Sequence, residues 1–248
     1  TYSNRANVTS TSATYTDSAY SSSDSIIISV PWVFQGSNYG FSAGGNGGID
    51  VIDKFSFTGG ATATDHGDLS VGRDYLAGQS SSTDGFTSGG NVAHTNIIDK
   101  FSFTSSSGAS DHGDLSVVKR MGAGISSSNY GFDSGGDTTG YTPINVINKF
   151  AFSSNVTASD HGDLSVSRGG AAGQSSTDYG FTSGGTTASG GSTNVIDRFA
   201  FASNTTATDW GDRSLSRNGV AGNSSSTHGF SSGGYAGYSD VIDRFAFA

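Results

Sequence analysis

The chain has 248 residues, enough for one large β domain, with hydrophobic residues at 33% and 38 glycines. Its net charge of −9 comes from 21 acids, all of them Asp, against 12 bases, and Cys is absent. That balance disfavours nucleic acid, because phosphate neutralisation needs clustered Lys and Arg. Thiolate metal sites and disulfides are excluded, and no apolar run approaches the roughly 18 residues of a membrane-spanning helix.

Asp without Glu argues for strands and turns over helices, since the short carboxylate bonds its own backbone two residues on. Residues 1–12 read as an N-terminal extension. Ala13-Thr14-Tyr15-Thr16-Asp17 then matches a later stretch, Ala61-Thr62-Ala63-Thr64-Asp65. Ile26-Ile27-Ile28-Ser29-Val30 is too short and too far into the chain for a signal peptide. It is followed by Pro31-Trp32-Val33-Phe34, whose Trp32 and Phe34 are candidates for partner contact.

From residue 40 onward the sequence repeats. Gly-Phe-x-Ser-Gly-Gly ends at Gly90, Gly136, Gly185 and Gly234, and its relative Gly-Phe-Ser-Ala-Gly-Gly at Gly45, in steps of 45, 46, 49 and 49 residues. Next comes Val/Ile-Ile-Asp-Lys/Arg-Phe-x-Phe, with Asp53, Asp99, Asp197 and Asp243 at the acidic position and Asn148 in the third copy. Asp-x-Gly-Asp-x-Ser starts at Asp65, Asp111, Asp160 and Asp209 and is trailed by Arg73, Arg120, Arg168 and Arg217. Small residues follow, as in Ala77-Gly78, Ala123-Gly124, Ala172-Gly173 and Ala221-Gly222.

Each unit reads as short alternating strands punctuated by Gly-Gly and Asp-x-Gly-Asp turns. About four strands per 45–50 residues is the signature of a propeller blade. The expectation is therefore an all-β, five-bladed β-propeller of four-stranded antiparallel blades, one domain over 1–248. The last unit stops at Ala248, after its third strand. Residues 13–30 are expected to supply the missing strand and close the ring, which would remove an exposed strand edge; donation of that strand to a neighbouring copy is the rival arrangement.

The small residues suit crowded innermost strands. Phe101 with Phe103, and Phe199 with Phe201, lie two apart and so share a strand face, where they would fill contacts between blades. The recurring Arg is expected to pair with the recurring Asp as a structural device, with a ring of positive charge for an anion as the alternative. Asp-His-Gly-Asp offers too few oxygens for Ca²⁺ and reads as a turn. Trp210 replaces the His in one copy, which argues against a metal ligand. No asymmetric nucleophile–base set stands out, so no catalytic residue, metal or cofactor is assigned. The sequons at Asn7, Asn155, Asn204 and Asn223 occur at the frequency chance predicts in so Ser- and Thr-rich a chain.

The order diglycine, Ile-Asp-x-Phe, turn and Arg, then small residues resembles the kelch repeat over nearly the whole chain. It departs where that family has Trp and Tyr: this chain has Thr-Asp or Ser-Asp, and Ile. The wording Ile-Asp-Lys/Arg-Phe-x-Phe with Ala-Thr-Asp-x-Gly-Asp-Leu-Ser also resembles repeats in structural proteins of phages of aquatic bacteria. That resemblance implies an extracellular or virion location, in a tail, fibre or filament, with copies of itself or other structural proteins as partners. A non-enzymatic structural and interaction module is the leading expectation. A carbohydrate-binding propeller that recognises surface glycans is the second. Neither nucleic acid nor membrane is expected as a partner. The loops before each Ile-Asp phrase vary most and contain Tyr141, Tyr235 and Tyr238 as further candidate contacts.

Overall fold

The computed structural model describes residues 38–60, 62–91 and 94–248. Among them there is no helix, and the strands form five antiparallel blades of a β-propeller. The second blade runs Ala77–Ser80, Asp84–Ser88, Thr95–Ser102 and Ser110–Lys119, from innermost to outermost. The third runs Ala123–Ser126, Tyr130–Ser134, Val146–Ala151 and Ser159–Asp163. The fourth runs Ala172–Ser175, Tyr179–Ser183, Val195–Ala200 and Thr208–Asp212.

The terminal blades differ. Three strands of the first are described, Tyr39–Ala43, Val51–Ser56 and Thr64–Asp68, which match the second to fourth strands of the others. The fifth shows Ala221–Ser224, His228–Ser232 and Ile242–Ala246, the first three strands of a blade. The closing strand and seam expected at 13–30 lie outside the described residues, as do Ile28, Trp32 and Phe34.

The small-residue strands are innermost. There the backbones touch: a Cβ added at Gly124 would collide with the Gly78 carbonyl, and one at Gly173 with the Gly124 carbonyl. Only glycine permits that approach. A chain of hydroxyl bonds follows the same path, from Ser80 N to Ser126 Oγ, Ser126 N to Ser175 Oγ and Ser175 N to Ser224 Oγ, at 3.0, 3.0 and 2.9 Å.

Between blades the core is aromatic. Phe86 stacks on Phe152 at 4.7 Å and is tilted against Phe150 at 5.8 Å. Phe132 meets Phe201 and Phe199 in the same way, and Phe181 meets Phe247 and Phe245. Each buried ring contributes about 1.5–3 kcal/mol. The Phe pairs thus join one blade to the one before it.

Candidate functional site

The repeated polar residues form bridges between blades. In the outer strand a bulge at the Asp-x-Gly-Asp phrase leaves one extra residue, such as His66 between the pairs Ile52↔Gly67 and Asp53↔Asp65. The first Asp turns back on itself: Asp65, Asp111 and Asp160 Oδ1 each accept the amide N–H two residues on, at 2.8 Å. The extra residue faces the next blade. His66, His112 and His161 Nε2 lie 2.7, 2.8 and 2.8 Å from the carbonyls of Ser102, Ala151 and Ala200. Because a carbonyl only accepts, these rings carry the proton on Nε2. Trp210 Nε1–H donates to the Ala246 carbonyl at 3.2 Å in the equivalent place. An N–H donor is what the position requires, and indole supplies it as well as imidazole does. Burial first, then nearby Lys149, lowers the His161 pKa, against the pull of its bond to Ala200 and of Asp160.

The recurring Arg and Asp come together deep inside the blades. Arg73 donates to Asp99 at 2.8 Å and Arg168 to Asp197 at 2.9 Å, all fully buried, and Arg217 pairs with Asp243. The same carboxylates accept the backbone N–H of Ser70, Ser165 and Ser214 from the preceding blade. Burial lowers the Arg168 pKa, and Asp197 opposes the shift. Asp53 occupies this position in the first blade; Ile28, which aligns with the Arg, is outside the described residues.

The third blade corrects the sequence reading. Arg120 does not occupy the Arg73 position; Lys119 does, and its partner is Asp133 at 3.0 Å. Asn148, at the acidic position, accepts from Ser116 instead. Arg120 points to the end of the propeller and pairs with Asp137, Nε to Oδ1 at 3.1 Å and Nη2 to Oδ2 at 3.3 Å. The signal for Lys119 was present in the spacing, since it stands 46 residues after Arg73 and 49 before Arg168.

Sequence reasoning also missed Arg213. It sits where Leu69, Leu115 and Leu164 fill the core in earlier blades, and it is 3% exposed. Its guanidinium bonds the carbonyls of Thr193 and Arg217 and the Ser231 hydroxyl. Burial, then the neighbouring Arg217, lowers its pKa to about 10 against the pull of Asp243.

One end of the propeller carries the features that do not repeat. The diglycine loops and the connections between blades meet there, through the backbone pairs Asp74↔Asn91, Arg120↔Asp137 and Asn218↔Tyr235 and the ladder Arg168-Gly169↔Thr186-Thr187. Both glycines of each pair have positive φ, 63° and 120° at Gly89 and Gly90, which is why Gly45, Gly90, Gly136, Gly185 and Gly234 recur. Backbone bonds link successive connections at this end, from Met121 N to Tyr75 O, Gly170 N to Met121 O and Gly219 N to Gly170 O.

Among the described residues, the five non-glycine residues with positive φ lie on these loops and connections: Tyr75, His94, Met121, Tyr141 and Tyr238. Tyr75, Tyr141, Tyr235 and Tyr238 are exposed here, and so are Val71, Val166 and Leu215 on the connections between blades. The Arg120 guanidinium lies over both Tyr75 and Tyr141, 5.2 and 4.5 Å from their ring centres. Tyr141 flanks a cleft of about 240 Å³ between the loops of the third and fourth blades. Tyr235 and Tyr238 meet edge to face at 5.5 Å. Among the described residues no group of three or more His, Cys, Asp or Glu could hold a metal ion.

The sequence matches no protein-family model, and no curated protein matches it significantly.

Proposed function

We propose that the propeller is a rigid, non-enzymatic interaction module of an extracellular or virion assembly, joining copies of itself through its variable-loop end. One contrast carries the reading. The buried bridges repeat from blade to blade, so they serve the ring itself; the non-glycine loop residues with positive φ among those described lie at one end, with exposed Tyr75, Tyr141, Tyr235 and Tyr238, and they differ between blades. Exposed aromatic and apolar side chains at one end mark interaction surfaces. The repeat order of diglycine, Ile-Asp-x-Phe and Arg supports a kelch-like identity, and the phage-like wording of the repeats supports a tail, fibre or filament.

Sedimentation velocity and electron microscopy of the intact chain, from micromolar to hundreds of micromolar, test this reading. Assembly that rises with concentration and is lost in the double variant Leu215→Ser, Tyr238→Ser is the expected outcome. A chain that stays monomeric throughout, or assembles equally well with both substitutions, overturns it. A second reading, glycan recognition, is favoured by one observation, the tyrosine-flanked cleft beside Thr186 and Thr187.

A further inference from the structure

We infer that the cleft between the third and fourth blade loops binds a single neutral hexopyranose unit of a glycan. The inference rests on the loop end being a contact face and names a ligand for one place on it.

The cleft is lined by Met121, Asp137, Tyr141, Pro143, Thr186 and Thr187 among others, and encloses about 240 Å³. Sites for drug-sized ligands run about 300–1,000 Å³, so this one is scaled to a single ring. Its wall is unusual in cost. Tyr141 is 70% exposed and has φ of 60°. It closes its turn by N–H donation to Thr138 O at 3.0 Å. The corresponding turn of the fourth blade closes from Gly190 N to Thr187 O at 2.9 Å, with φ of 82° at the glycine. A large side chain held in a conformation that favours glycine, with little burial in return, is the kind of strain found at ligand clamps.

The ring is also held in place. Arg120 stacks on it, Asp137 holds Arg120 by two bonds, and Asp137 is itself 6% exposed. His94 meets Tyr141 at 6.3 Å, edge to face. The wall is therefore preorganised, which lowers the ordering cost of binding.

The chemistry selects the ligand. A pyranose offers a C–H face that stacks on an aromatic ring and a rim of hydroxyls. Tyr141 with Met121 and Pro143 supplies the apolar wall, and Thr186 supplies a hydroxyl partner, while the Thr187 hydroxyl is spent on the Gly191 carbonyl. Arg120 covers one face of Tyr141 and occupies the Asp137 carboxylate, so a cationic ligand finds no free anion. Asp137 already neutralises Arg120, so an anionic ligand finds no free cation. A neutral sugar is what remains. The site is not repeated in the fifth blade, where Tyr235 and Tyr238 pack on each other.

Amide NMR titration of the intact chain with methyl glycosides of glucose, galactose and mannose, with N-acetylglucosamine, and with glucuronate and glucosamine as charged controls, tests the assignment. At least one neutral sugar should shift the amides of Thr186 to Gly190, with a Kd on the order of 1 mM, as befits one ring in an open cleft. Tyr141→Ala should weaken binding at least about tenfold, the effect of losing one stacking wall, and Tyr141→Phe should retain it. Val156→Ala, at the opposite end, should leave it unchanged. The spectrum of each variant reports whether it is folded. Silence from every neutral sugar, wild-type binding by Tyr141→Ala, or preference for a charged sugar overturns the assignment. If the chain still self-assembles in that event, the interaction reading stands and only the sugar site falls.

Discussion

The Lys119 ammonium lies 3.0 Å from the Asp133 carboxylate, so the third blade keeps a buried ion pair although Asn148 stands where its neighbours have Asp. Lys119 aligns with Arg73, Asp133 with Thr87 and Asn148 with Asp99. The carboxylate has moved one strand inward and the base has changed with it. Burial lowers the Lys119 pKa, and Asp133 opposes the shift by charge and hydrogen bond. The pair is thus a unit, and breaking a buried pair by removing one partner costs about 3–5 kcal/mol.

That unit should be transferable. Asp99→Asn alone leaves Arg73 buried without its carboxylate and should destabilise the chain by about 3 kcal/mol. The triple variant Arg73→Lys, Thr87→Asp, Asp99→Asn copies the third blade into the second and should recover most of that loss. Urea unfolding midpoints measure both. A triple variant no more stable than the single one would show that the two arrangements are not equivalent.

Arg213 places a second guanidinium beside Arg217, near Asp243, in a slot that Leu69, Leu115 and Leu164 fill elsewhere. Replacing buried charge by well-packed hydrophobic residues is often stabilising. Arg213→Leu should raise stability by about 1–2 kcal/mol, seen as a higher thermal midpoint. A lower midpoint would mean that its bonds to Thr193, Arg217 and Ser231 outweigh its desolvation.

The innermost strands leave no room for a Cβ at Gly124, Gly173 or Gly222. Gly173→Ala drives a Cβ into the Gly124 carbonyl, and overpacking of this kind costs about 1–3 kcal/mol. Gly191→Ala meets nothing within 4 Å and should fall within about 0.5 kcal/mol of the parent, as surface changes do. Equal midpoints for the two variants would contradict the close approach at the axis.

His161 links stability to pH. Its folded pKa lies below the ordinary 6.5 because burial disfavours the imidazolium. The unfolded chain therefore binds more protons just below that value, and stability rises with pH there. The contribution is complete above about pH 6.5 and is lost as pH falls through and below it. NMR titration of the His161 ring should give a midpoint below 6.5, and denaturant unfolding at pH 7.5 and pH 5 should show the loss, by about the same amount as linkage predicts. His161→Phe should remove that part of the pH dependence while lowering stability throughout, because it leaves the Ala200 carbonyl without its donor. A ring that titrates above 6.5 would reverse the sign.

Much of the architecture could be read from residue order. A 45–49-residue period, diglycines before a strand, Phe two apart and small residues at one place in each unit can satisfy their packing together only as blades about an axis. The Arg–Asp pairing was legible for the same reason: a charge that recurs once per blade needs a recurring partner. What order could not decide was which of two adjacent bases, Lys119 or Arg120, turns inward. Strand side chains alternate between faces, so a one-residue slip exchanges core for surface, and the outer strand is bulged just where the count matters. Nor could it show that Tyr75, Arg120 and Tyr141 meet, since they come from different blade connections and loops. Composition and period determined the repeating frame, because every blade obeys the same packing. The tertiary structure alone decided the exceptions, because a contact between blades depends on register and loop path, which a repeat does not encode.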